Sequence, residues 1–116
     1  MGKRNRGRGR LSAATIDYRD AEGNVLVLRG SMSPLTRRKY ASVLHDQGRS
    51  TDDSWQRATE FLFERLVERW IVHEVPTEGQ QELLMRYRIA TTDERRWIRD
   101  VLREHLAEHF PDVEAP

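Results

Sequence analysis

The chain has 116 residues, of which 37% are hydrophobic and 34% are charged, and its formal net charge is +1. This length predicts a single domain with one modest core, because one hydrophobic core is usual at this size. There is no cysteine, which excludes disulfides and thiolate chemistry, and no apolar run approaches the roughly 20 residues of a membrane span, so we expect a cytoplasmic protein without a membrane partner.

The amino-terminal segment, residues 1–11, is the basic part of the chain. Residues 1–10 hold five of the 20 basic residues and no acidic one, which leaves 15 basic against 19 acidic residues, a net charge of −4, in residues 11–116. Three glycines and the lack of a periodic apolar pattern predict a disordered arm. Such arms bind nucleic-acid phosphates through counterion release, although a merely solvated tail remains the alternative. The candidate nucleic-acid contacts are Lys3, Arg4, Arg6, Arg8 and Arg10 of the arm, with Arg37, Arg38 and Lys39 further along.

A β-hairpin is predicted directly after the arm. A strand begins near Thr15, and the run Val25-Leu26-Val27-Leu28 is typical of a second strand. Between them, Asp20 to Gly23 fits a tight turn in which glycine supplies the left-handed backbone conformation. Because two strands alone are only marginally stable, we expect this hairpin to pack against helices.

The first helix is marked at both ends. Ser33 is a predicted N-cap with Pro34 at the first helical position, and Gly48 is the predicted terminator. Tyr40 and Leu44 lie four residues apart, which predicts a narrow apolar stripe on one face.

The second helix is predicted to be the centre of the protein, from about Asp52 to His73. Ser50 and Asp53 have the spacing of an N-terminal capping pair. The apolar residues extend so far around this helix that it should be covered on more than one side. They are Trp55, Ala58, Leu62, Phe63, Leu66, Val67, Trp70 and Ile71.

Two further helices are predicted after the break at Pro76. The third should run from about Glu78 to Arg88 behind a capping box at residues 77–80, and the fourth from Asp93 to His109. Pro111 should end the fourth helix and leave residues 111–116 as a tail. The sequence therefore predicts one α+β domain, residues 12–110, in which an N-terminal β-hairpin packs against about four helices.

His105, Glu108 and His109 form an H-x-x-E-H pattern, the zinc-binding pair of one metalloprotease class. A third protein ligand normally lies well downstream in that class, whereas only seven residues follow His109. The histidines also continue the helical column of Trp97 and Val101, so packing is sufficient to explain them. We therefore predict no metal, no cofactor, no small-molecule substrate and no catalytic residue, and we interpret the chain as a non-enzyme.

Arginines on the fourth helix recur every four residues at Arg95, Arg99 and Arg103. Asp100 and Glu104 lie beside this stripe in the sequence. We expect the arginines and acids to form a network of surface ion pairs.

Large aromatic side chains are the candidate contacts for a protein partner. Tryptophan and other aromatics are typical anchors of protein interfaces. The candidates are Trp55, Phe61, Trp70 and Trp97. The predicted partner is another protein or a second copy of the chain.

Four features occur in order along the chain: a D-x-x-G turn at Asp20 to Gly23, an LV-x-x-W segment at Leu66 to Trp70, Pro76 in the following loop, and a helix ending at Phe110. This layout resembles the small tail assembly chaperones of phages and prophages. The resemblance implies a non-catalytic protein that binds a tape-measure-type partner and holds it until tail protein polymerises around it.

Overall fold

The structure is a computed structural model that describes residues 14–116 of the chain. It contains four strands and four helices, so the predicted α+β class with an N-terminal hairpin is confirmed. The elements in chain order are β1 (Thr15–Arg19), β2 (Val25–Arg29), α1 (Pro34–Leu44), α2 (Thr51–Leu66), β3 (Val67–Val72), β4 (Val75–Glu78), α3 (Gln80–Arg88) and α4 (Thr92–His109). Residues 1–13, which include the predicted arm, lie outside the described residues.

The four strands form one antiparallel sheet in the order β1-β2-β3-β4. The predicted turn between β1 and β2 is present, with Gly23 at φ +84°. The Asp20 carboxylate accepts hydrogen bonds from the backbone N–H groups of Glu22 and Asn24, both at 2.9 Å. The Asn24 side chain in turn accepts a bond from the backbone N–H of His73 at 2.9 Å. Asn24 thus joins the β1–β2 turn to the β3–β4 turn.

The second helix is shorter than the sequence predicts, and this is the main correction to the fold. Helix α2 ends at Leu66, and the chain continues without a loop into strand β3, which pairs with β2. Along this pairing Val27 lies opposite Arg69 and Leu28 lies opposite Val67, so that Glu68 is an extra residue in β3. Such a bulge bends a strand locally, which suits the point where a helix becomes a strand.

Strands β3 and β4 form a second hairpin that the sequence did not predict. Its turn residues His73 and Glu74 both have positive φ, 51° and 68°, as a two-residue type I′ turn requires. The capping box predicted at residues 77–80 is therefore wrong: Thr77 and Glu78 lie in β4, and Gly79 is the N-cap residue of α3, without a side-chain cap.

The helix starts agree with the sequence better than the helix ends do. Ser33, Ser50 and Thr91 accept bonds from the backbone three residues on, and Thr91 forms a full capping box with Glu94. The hydrogen bond from Arg86 lowers the pKa of Glu94, outweighing burial, and further bonds from Thr91 act in the same direction. Gly48 does not terminate α1, which ends at Leu44 with His45 as its C-cap.

The core lies between one face of the sheet and the four helices. Strand β2 contributes Leu26 and Leu28, both without exposed surface, and β3 contributes Trp70. Burying side chains of this size provides the main stabilisation of the fold, at about 25 cal/mol per Å² of apolar surface. The largest core side chains from the helices and the C-terminal residues are Tyr40, Leu62, Phe63, Leu66, Ile98, Leu102, Leu106 and Phe110.

Residues 111–116, which the sequence predicts as a tail, lie against α1. The Tyr40 hydroxyl donates a 2.6 Å hydrogen bond to the backbone carbonyl of Glu114. Arg37 forms an ion pair with Asp112 at 3.3 Å, and the Glu114 carboxylate lies 3.1 Å from the His45 ring. The chain after α4 is thus part of the packed structure.

Candidate functional site

A groove of about 720 Å³ separates α2 from α4, and we call it the α2–α4 groove. The C-terminal residues 114–116 also line it. It is larger than the other described concavity, of about 300 Å³, which lies beside it next to the end of α1. Its lining includes Trp55 and Thr59 of α2, Tyr87 of α3, and Arg95, Arg99 and Arg103 of α4.

Trp55 is the exposed aromatic of the groove. Its side chain is 48% exposed, whereas Ala58 and Leu62, three and seven residues further along the same side of α2, have no exposed surface. Trp55 also borders the smaller concavity, so its side chain lines two neighbouring recesses. A large aromatic left between two recesses has apolar area that a partner can still remove from water.

Thr59 and Tyr87 form the buried part of the groove. Both are less than a tenth exposed, and the Thr59 hydroxyl donates a 2.8 Å bond to the carbonyl of Trp55. The Tyr87 ring packs on Phe63 with ring centroids 4.7 Å apart. Burial raises the pKa of Tyr87, and nearby Arg95 opposes this effect. These side chains are held by the core, which gives the groove a rigid base.

Three arginines follow one another along α4 on the other side of the groove. Arg95 is held by the chain itself, because it donates a 2.6 Å bond to the carbonyl of Arg88 and lies 5.2 Å from the centre of the Tyr87 ring. Arg99 and Arg103 are different: within residues 14–116, neither has an acidic side chain at ion-pairing distance. The ion-pair network predicted for this stripe is therefore wrong at these two positions.

Helical geometry explains why Arg99 is unpaired. Residues three or four apart are neighbours on a helix, whereas adjacent residues point in different directions. The neighbours of Arg99 by this rule are Arg95, Arg96, Leu102 and Arg103, none of them acidic. Sequence adjacency to an acid was therefore a poor guide to pairing.

The four aromatics predicted as partner contacts occupy different environments. Trp55 lies in the groove. Trp70 is 1% exposed and packs against Phe63 in the core, so it offers a partner no surface. Phe61 and Trp97 are half-buried against the core. Trp55 is the one of the four that combines large exposure with a concave surrounding.

The predicted nucleic-acid contacts are only partly within the described chain. Lys3, Arg4, Arg6, Arg8 and Arg10 lie outside it. Arg37 forms an ion pair with Asp112, and its guanidinium carbon lies 5.2 Å from the centre of the Phe110 ring. Arg38 and Lys39 are exposed and have no ion pair among the described residues.

His105 is buried, and both of its ring nitrogens are already bonded. Its Nε2–H donates to the carbonyl of Arg29 at 2.8 Å, and Nδ1 accepts a 2.8 Å bond from the Tyr18 hydroxyl. Because a carbonyl can only accept, this pattern fixes the neutral tautomer with the proton on Nε2. Burial lowers the pKa of His105, although the bond to Arg29 opposes this. Burial also raises the pKa of Tyr18 to about 12, and the negative charges of Glu104 and Glu108 add to this increase.

The H-x-x-E-H pattern therefore separates into two unlike histidines. His105 joins α4 to β1 and β2, whereas His109 is exposed and stacks beside it with ring centroids 4.9 Å apart. A metal could bind His105 only by displacing one of its two hydrogen bonds. Across residues 14–116 no group of three or more histidine or acidic side chains is placed to hold a metal ion.

Comparisons of the chain with protein-family models, with curated proteins and with solved structures find no match. No helix in residues 14–116 is both long and apolar enough to cross a membrane.

Proposed function

We propose that this chain is a non-catalytic protein-binding domain and that the α2–α4 groove, with Trp55 as its anchor, is the contact surface. The observation that carries the proposal is the 48% exposure of Trp55 between two recesses, in a chain whose other tryptophans pack in or against the core. Tryptophan is among the residues that contribute most binding energy at protein interfaces.

The rigid surroundings of the groove support the same proposal. Thr59 and Tyr87 are fixed by the core, so little side-chain freedom is lost when a partner binds beside them. A preformed surface of this kind lowers the entropic cost of association. The function needs no reacting group, which suits His105, whose nitrogens have structural bonds.

The resemblance to phage tail assembly chaperones suggests a tape-measure-type protein as the partner class. Of the features that carry the resemblance, the D-x-x-G turn joins β1 and β2 and the LV-x-x-W segment spans the junction of α2 and β3, whereas Pro76 lies in strand β4 and not in the predicted loop. Nucleic-acid binding through residues 3–10 is the second candidate. It is supported by the composition of that arm.

Replacing Trp55 tests the proposal. The purified chain is titrated by calorimetry with the products of neighbouring genes, and by dilution against itself to detect self-association. We expect Trp55→Ala to weaken the interaction at least about tenfold, because loss of an interface anchor typically costs 2 kcal/mol or more.

Leu35→Ala is the matched control, because Leu35 is 54% exposed on α1 and does not line the groove. It should bind like the wild-type chain. Unchanged affinity in Trp55→Ala, or the absence of both a protein partner and self-association, would contradict the proposal.

A further inference from the structure

Arg99 and Arg103 are the charged groups of the groove that the fold does not use. They lie on α4 four residues apart, so they are separated by about 6 Å along the helix axis. Neither has an acidic partner within residues 14–116, whereas Arg95 and Arg96 are bonded to Arg88 and Asp93. Two guanidinium groups one helical turn apart therefore line the groove without an ion pair to any acidic side chain of residues 14–116.

The acidic side chains around the groove do not cancel this charge. Glu60 forms an ion pair with Arg88 at 3.0 Å. The Glu114 carboxylate lies 3.1 Å from the ring of His45, which is charged only when protonated, and neither acid forms an ion pair with Arg99 or Arg103. Asp52 is in the first turn of α2, where the N-terminal end of a helix dipole favours a negative charge. A ligand that complements the α4 side of the groove is therefore negatively charged.

The distribution of charge favours an acidic protein segment over a nucleic acid. Residues 11–116 have a net charge of −4, and Asp100, Glu104 and Glu108 are exposed on the neighbouring face of α4. A continuous polyanion that extends beyond the groove would be repelled by these acids. A short acidic segment needs only to meet two arginines, and arginine and tryptophan are both among the residue types enriched at the energetic centres of protein interfaces.

We propose that the α2–α4 groove binds an acidic helical segment of a protein partner. Two carboxylates one turn apart on that segment pair with Arg99 and Arg103, and an apolar side chain between them packs on Trp55. Because carboxylate and guanidinium can pair through two parallel hydrogen bonds, the arrangement fixes the direction of the bound segment as well as its charge. This inference rests on the proposed function and specifies its partner.

The test uses a designed probe and the full chain. The probe is a fluorescently labelled helical peptide of about four turns with two glutamates four residues apart and leucines on the same face. A second peptide carries glutamine in place of both glutamates, and a labelled oligothymidine represents nucleic acid. Binding is followed by fluorescence anisotropy at two salt concentrations.

The groove variant carries Arg99→Gln and Arg103→Gln. The α1 variant carries Arg38→Gln and Lys39→Gln, and it removes the same charge from exposed positions on α1. We expect the glutamate peptide to bind the wild-type chain and the α1 variant equally, and the groove variant at least about tenfold more weakly. The glutamine peptide should bind the wild-type chain as weakly as the glutamate peptide binds the groove variant.

Three results would overturn the inference: no binding of the glutamate peptide, equal loss in both double variants, or tighter binding of oligothymidine that depends on Arg99 and Arg103. Trp55→Ala and the groove variant are also titrated with the protein partner. If only Trp55→Ala loses that partner, the acidic segment is refuted while the proposed function stands. If neither loses it, both proposals fail.

Discussion

His105 is a titratable side chain with no exposed surface, and the fold accommodates it in the neutral form. Its two bonds, to Tyr18 and to the Arg29 carbonyl, connect α4 to the first hairpin. A second proton would have to displace the Tyr18 hydroxyl from donating to Nδ1. Protonation is therefore opposed by both burial and geometry.

The stability of the protein should fall as the pH is lowered below about 6.5 because of His105. Its pKa is lowered in the folded state from an unfolded value of about 6.5. The unfolded chain therefore binds the proton first. The contribution of neutral His105 to the free energy of unfolding is fully present above about pH 6.5. It is lost as the pH falls towards the pKa of His105 in the folded protein, by up to about 1.4 kcal/mol per pH unit.

Urea unfolding at several pH values measures this effect, and His105→Gln should flatten the dependence. Groups such as Asp20 and Glu94, whose pKa values are lowered below those of ordinary carboxyls, lose their contribution only at more acidic pH. His109→Gln is the comparison variant: the charge of His109 also lowers the pKa of His105 but is a smaller cause than burial, so this variant should weaken the pH dependence less than His105→Gln does. Equal slopes for wild type and His105→Gln would show that His105 is not the group responsible.

The sequence predicted that His105 lies on the same side of its helix as Trp97 and Val101. The spacing from Trp97 and Val101 indicated packing, and this agrees with the buried position of His105. Its partners could not be predicted, because Tyr18 and the Arg29 carbonyl are 87 and 76 residues away. The same limit applies to the groove: Trp55 was a candidate on residue type alone, but its surroundings come from three separate segments.

At the level of elements, the boundary between α2 and β3 shows where periodicity is ambiguous. Leu66, Val67 and Trp70 continue the helical apolar face of α2, and Glu68 continues an acidic line with Glu64. Both patterns predicted a helix to His73. The β-branched residues at the end of the segment favoured a strand, but the deciding factor is the pairing with β2, a long-range contact that local propensity does not contain.

The β3–β4 turn should be improved by sequence change. His73 and Glu74 both have positive φ, a conformation that costs an ordinary L-residue about 1 kcal/mol or more and that Asn-Gly adopts readily. We expect His73→Asn with Glu74→Gly to stabilise the protein by about 1 kcal/mol, after the entropic cost of glycine, and to raise Tm by roughly 4 °C.

Thermal unfolding followed by circular dichroism measures the gain at this turn. Glu22→Gly is the control, because Glu22 lies in the β1–β2 turn without positive φ. That glycine should leave Tm unchanged or lower it. A lower Tm for the His73 and Glu74 double variant would mean that the native turn is not strained.

On the scale of the whole molecule, the C-terminal residues connect parts that are far apart in the sequence. Residues 112–114 contact α1 through Arg37, Tyr40 and His45, and residues 114–116 line the groove between α2 and α4. The tyrosine bond is the most protected of these contacts, because Tyr40 is 1% exposed. The same segment therefore supports the fold and shapes the candidate binding surface.

Deleting residues 112–116 should lower the free energy of unfolding by about 2 kcal/mol. The buried Tyr40 hydroxyl would lose its acceptor, which costs about 1–3 kcal/mol, and partly buried Val113 and Ala115 would be removed from the core. Urea unfolding gives the value. Asp112→Asn removes only the exposed ion pair with Arg37 and should cost below about 1 kcal/mol. A deletion variant as stable as the full chain would refute this role.

Because α2 continues directly into β3, the chain should tolerate inserted residues poorly at this junction. Leu66 and Val67 belong to different elements with nothing between them. One inserted residue there would either turn every upstream side chain of the helix by about 100° around its axis or exchange the two faces of the strand. Residues added to the exposed connection between α1 and α2 would do neither. Tolerance to insertion should therefore differ sharply between two sites about 20 residues apart.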